Sequence, residues 1–147
     1  MEEFKNRSSI LISIFNRKGG EGVMTKIVRD SNKPDFQNQI SLLDKEEQPL
    51  LCFKKDELNW LLITSSRIIG DEEGVKFIIP YSQLIEVKLA MEQEFKNRTM
   101  NKGNFTRLAL KDNSDRTYLI KLEKGPPYQG IYQILHYIVS NNNNKSL

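Results

Sequence analysis

The chain has 147 residues, 38% of them hydrophobic and 28% charged, with a net charge of +3, which is the length and composition of a single globular domain. One cysteine, Cys52, and one histidine, His136, exclude a disulfide framework, a cysteine-cluster metal site and any site that needs two imidazoles from one chain. The longest apolar runs are only a few residues, too short to cross a bilayer.

Residues 1–46 read as an N-terminal extension, a helix or a hairpin. Its Ile10-Leu11-Ile12-Ser13-Ile14-Phe15 stretch is short for a signal core, and no small-residue cleavage site follows it, so a cytoplasmic location is expected. From residue 47 to 141, period-two patterning and turn residues mark seven short strands and a final helix. Pro49 to Lys54 is the first strand. Leu58 to Thr64 is the second, and its Trp60-Leu61-Leu62-Ile63 run is apolar on both faces, as in a strand covered from both sides. Arg67 to Gly70 and Val75 to Ile79 follow, separated by the turn Asp71-Glu72-Glu73-Gly74. Between Leu84 and Met91 the apolar Ile85, Val87, Leu89 and Met91 alternate with Glu86, Lys88 and Ala90, which predicts one wet face. Phe105 to Lys111 and Arg116 to Leu122 form a hairpin around Asp112-Asn113-Ser114-Asp115. After Gly125-Pro126-Pro127 the period changes, and Ile131, Ile134, Leu135 and Ile138 recur at helical spacing, giving one stripe to bury. The asparagine-rich residues 142–147 read as a disordered polar tail.

Seven antiparallel strands followed by one amphipathic helix is the element order of the pleckstrin-homology (PH) superfold. The stretches Leu61-Leu62-Ile63-Thr64-Ser65-Ser66-Arg67-Ile68-Ile69 and Ile79-Pro80-Tyr81-Ser82-Gln83-Leu84-Ile85-Glu86-Val87 resemble the phrasing of bacterial PH-like domains. The resemblance spans about two-thirds of the chain. It implies a mainly β fold, a seven-stranded, partly open antiparallel barrel capped by the C-terminal helix. It also implies a non-enzymatic binding or assembly module without cofactor, acting by protein binding or self-association, possible oligomers included.

Two stretches invite a sharper reading. Ile14 to Thr25 contains Lys18-Gly19-Gly20-Glu21-Gly22-Val23-Met24-Thr25, which resembles the phosphate loop of partition-type ATPases. Val23 stands where the phosphate lysine belongs and Met24 where the Mg²⁺ hydroxyl belongs. The alternating strands and helices of a nucleotide-binding sheet are also missing, so the glycines are read as a turn. The second stretch, Lys96 to Arg107, holds Lys96, Arg98, Lys102 and Arg107 and no acid. These four cations are the candidate anion or partner contact. They make a peripheral module on anionic lipid the alternative to protein binding. The loop after the first strand, where PH relatives gather basic residues for phosphoinositides, reads Lys54-Lys55-Asp56-Glu57, with its two cations neutralised. Aromatic residues hardly interleave with the basic stretch, so nucleic acid is not an expected partner. No catalytic constellation is present: Cys52 lies in an apolar strand, His136 on a polar helix face, and the acidic groups Glu46-Glu47, Asp56-Glu57 and Asp71-Glu72-Glu73 in turns, where carboxylates face water.

Overall fold

The computed structural model describes residues 2–145. The elements run α1 (Glu2–Lys18), β1 (Thr25–Ile27), α2 (Gln37–Ile40), β2 (Pro49–Asp56), β3 (Asn59–Thr64), β4 (Arg67–Glu72), β5 (Val75–Pro80), β6 (Leu84–Leu89), α3 (Met91–Lys96), β7 (Arg107–Asp112), β8 (Thr117–Lys121) and α4 (Pro126–Lys145). The strands form two antiparallel sheets, β1-β2-β3-β4-β5 and β6-β7-β8. The sheets do not close into a barrel, and the chain is 36% helix against 34% strand. The fold is therefore mixed rather than mainly β. The excess helix comes from α1 at the N-terminus and from the length of α4.

From residue 47 onward the seven strands and the helix follow the expected order. What precedes them is built into the same body. The α1 side chains Leu11, Ile14 and Phe15 join the core formed by Leu51, Leu61, Ile63, Ile68, Leu108, Leu110, Ile131, Ile134 and Leu135. β1 extends the first sheet by pairing with β2. Residues 28–43 cover the outer face of that sheet, where Phe36 packs with Cys52, Trp60, Leu62 and Ile69, flanked by Val28, Ile40 and Leu43. This second layer is why the strand at Trp60–Ile63 is apolar on both faces: Leu61 and Ile63 turn inward, and Trp60 and Leu62 turn toward the 28–43 segment.

Two glycines set the approach of α1 to α4. A Cβ on Gly19 would lie 2.2 Å from the Pro126 carbonyl oxygen, and one on Gly130 would lie 2.6 Å from the Phe15 ring. Only hydrogen at those two positions lets the helices meet. Within the described residues the asparagine-rich stretch is helical. α4 continues to Lys145, and the Asn142 amide donates to the carbonyls of Tyr81 and of Leu84, the latter at 3.0 Å. Residues 146 and 147 lie outside the described residues.

β6 departs from simple alternation. A bulge between Leu84 and Glu86 places Leu84 and Val87 in the core and leaves Ile85 39% exposed. An inserted residue shifts the side-chain parity by one, which a strict period of two cannot register. Met91, read as the end of this strand, instead opens α3.

Candidate functional site

The glycine-rich loop after α1 is occupied from within the chain. The Glu123 carboxylate accepts the Val23 amide at 2.8 Å, the Met24 amide at 3.0 Å and the Thr25 hydroxyl at 2.9 Å. A Cβ on Gly22 would collide with that carboxylate at 2.5 Å. The loop therefore does present amides to an anion, as its composition suggests. The anion is a side chain just ahead of α4, and the contact ties the N-terminal loop to the C-terminal helix.

The four cations of the basic stretch separate into different environments. Arg107 opens β7 and faces Glu94, which is fully buried. The Glu94 carboxylate accepts the Thr106 and Arg107 amides at 2.9 and 2.6 Å and lies 3.6 Å from the Arg107 guanidinium. Arg107 thus neutralises an internal carboxylate. Lys96 pairs with Glu92 one helical turn away at 3.6 Å, both side chains in solvent, a contact of small energetic weight. Arg98 and Lys102 have no carboxylate partner among the described residues. Arg98 adopts a left-handed backbone conformation, φ 61°, and turns the chain out of α3. The Asn101 side chain accepts the Gly103 amide at 2.9 Å and shapes the following 3-10 turn.

Three apolar side chains share this segment: Met91 is 37% exposed, Phe95 44% and Met100 71%. From sequence, Met91 closes a strand, Phe95 is one of the few aromatics near the cations, and Met100 carries no signal. Met91 and Phe95 form a helical i, i+4 pair on α3. At its neck the insertion is closed by the Ala90 amide donating to the Arg107 carbonyl at 3.2 Å. Residues 91–106 thus form a braced projection between β6 and β7.

The acidic pairs are not uniformly in water. The Glu47 side chain is only 3% exposed and accepts from the Arg67 guanidinium at 2.9 Å, the Thr64 hydroxyl at 2.6 Å and the Ser66 hydroxyl at 3.1 Å. Burial alone would push its pKa up, but Arg67, Thr64 and the Asp44 amide together hold it below the usual glutamate value. Glu72 shifts the other way because burial outweighs its hydrogen bond from the Lys121 amide. Cys52 is fully buried, and desolvation pushes its thiol up to about 12. His136 is exposed on α4, beside the Tyr132 ring at 6.0 Å. Among the described residues no cluster of three metal-ligating side chains occurs, and no helix is long and apolar enough to cross a membrane.

The two edges that flank the opening between the sheets differ. At β8 the Lys121 amide is taken by the Glu72 carboxylate at 2.9 Å, and the Tyr118 ring stacks on Phe77 of β5 at 5.4 Å. β5 is the last strand of its sheet. The β4–β5 hairpin has two turn residues with positive φ, Glu73 at 54° and Gly74 at 89°, the signature of a type I′ turn. That turn makes Glu72 and Val75 a hydrogen-bonded pair, so the Lys76 and Ile78 amides point away from β4. Val75 and Ile78 are 70% and 53% exposed along this edge. In comparison with known proteins, the chain matches no family model, no curated protein and no solved structure.

Proposed function

We propose that the chain is a non-enzymatic module of bacterial PH-like architecture that works in the cytoplasm by self-association through the open edge of β5. The architecture is supported by the order of β2–β5, β6–β8 and α4, four strands, three strands and a helix. A binding role is supported by how the chemically capable groups are used: Glu47, Glu94 and Glu123 each hold backbone or side-chain donors of the fold, and Cys52 is sealed in the second core.

The observation that carries the reading is the edge itself. Among the described residues the Lys76 and Ile78 backbone groups that point away from β4 have no partner, beside exposed Val75 and Ile78, and such an edge is a template for another strand. Two copies of β5 running antiparallel about Phe77 would set each Lys76 opposite the partner's Ile78, with no like charges facing. Sedimentation equilibrium tests this. The wild-type mass should rise with concentration, and Ile78→Lys should remain monomeric with an unchanged melting temperature. A wild-type chain that stays monomeric at every concentration removes the proposal.

A further inference from the structure

We infer that the projection formed by residues 91–106 is a docking surface for an anionic lipid bilayer, separate from the β5 edge. Its form and its chemistry agree. The neck is closed by the Ala90–Arg107 hydrogen bond, and the buried Glu94 carboxylate pins the far strand at the Thr106 and Arg107 amides. The α3 end is fastened by the Arg98 and Thr99 amides donating to the Phe95 and Glu94 carbonyls, each at 2.9 Å. Phe95 and Met100 are thus held out in water on an ordered support, so little ordering entropy remains to be lost on docking.

The charge around them selects the occupant. Arg98 and Lys102 have no carboxylate partner among the described residues and lie within a few positions of the exposed Phe95 and Met100 in the same segment, and Lys96 has only an exposed partner that water and salt already weaken. Two copies meeting here would oppose like charges, so a second chain is disfavoured. A polyanion lacking an apolar layer would leave Met91, Phe95 and Met100 in water. An anionic bilayer answers both features: the headgroups meet the cations, and the acyl boundary takes the aromatic and thioether side chains. Arg107, assigned from sequence to the contact, is excluded because Glu94 neutralises it.

Vesicle flotation of the full chain tests this, with phosphatidylcholine alone and with phosphatidylcholine plus phosphatidylglycerol. Binding is expected only to the anionic vesicles and should fall in high salt. Arg98→Glu with Lys102→Glu should weaken it at least about thirtyfold, from roughly 1 kcal/mol per cation at the surface. Phe95→Ser with Met100→Ser should abolish flotation while leaving the far-ultraviolet spectrum and melting curve intact. Ile78→Lys, which disables the β5 edge, should float like wild type. Equal binding to neutral vesicles, indifference to both double substitutions, or tighter binding of polyglutamate than of anionic vesicles would each overturn the inference; the last would point to an acidic protein instead.

Discussion

Glu123→Ala is the most informative single perturbation, because one carboxylate joins the two ends of the chain. It removes the acceptor of three donors, two of them at partly buried sites. Thr25 is itself fully buried, so water reaches its hydroxyl poorly. Hydrogen bonds to a charged group contribute roughly 1.5–3 kcal/mol each, and an orphaned buried donor costs a similar amount. Giving little weight to the solvent-exposed Val23 amide, the loss comes to about 3 kcal/mol. With a urea slope near the middle of its ordinary range, the unfolding midpoint should fall by roughly 1.5–2 M. Glu123→Gln sharpens the test. Both carboxylate oxygens accept, so the amide nitrogen of glutamine must face at least one N–H donor, and the near-isostere should still cost about 1–2 kcal/mol. Urea unfolding followed by circular dichroism measures both. If Glu123→Ala stays within about 0.5 kcal/mol of wild type, the carboxylate is not the clasp described.

Three further outcomes are expected. Ile134→Asp puts a charge at a fully buried core position of α4; a penalty of several kcal/mol against a total of about 5–15 should leave the chain unfolded at 25 °C by circular dichroism, and a cooperative melt like wild type would contradict the docking of α4. Glu47 has a folded pKa below its unfolded value, so its contribution is fully present above the ordinary glutamate value and is lost as pH falls through the depressed one. Urea stability from neutral pH to about 3 should drop less steeply in Glu47→Gln, which should already be roughly 3 kcal/mol weaker at neutral pH; parallel curves would refute this. Cys52, buried and with its thiol pushed up to about 12, should resist iodoacetamide in the folded chain and alkylate only in denaturant; rapid modification under native conditions would contradict its burial.

Much of the fold is legible because local signals and tertiary structure agree. The Asp112–Asp115 turn is stabilised by the Asp112 carboxylate accepting the Ser114 and Arg116 amides at 2.9 and 3.1 Å, as the composition of that turn implies. The stripe Ile131, Ile134, Leu135 and Ile138 is buried throughout. What was not legible depends on contacts between distant residues. The glycines at 19–22 resemble a phosphate loop in sequence; Gly19 and Gly22 are held to glycine by Pro126, Gly130 and Glu123, about a hundred positions away, and Gly20 by its positive φ of 144°. The burial of Glu47 requires Arg67, which local spacing cannot pair with it. The bulge in β6 shifts the parity of Ile85 without changing composition. At the candidate surface the cations are visible as a run without acids, whereas Glu94, which removes Arg107 from it, lies outside that run, and nothing local in the sequence marks its burial.

The claim on which the functional account rests is that β5 offers a free strand edge for another copy of the chain. Residue-resolved amide hydrogen exchange in dilute and in concentrated solution tests it most directly. The account predicts that the Lys76 and Ile78 amides exchange rapidly when dilute and gain protection on concentration, while the Val75, Phe77 and Ile79 amides, bonded to β4, stay protected throughout. Amides at Lys76 and Ile78 that exchange equally fast at every concentration would contradict it.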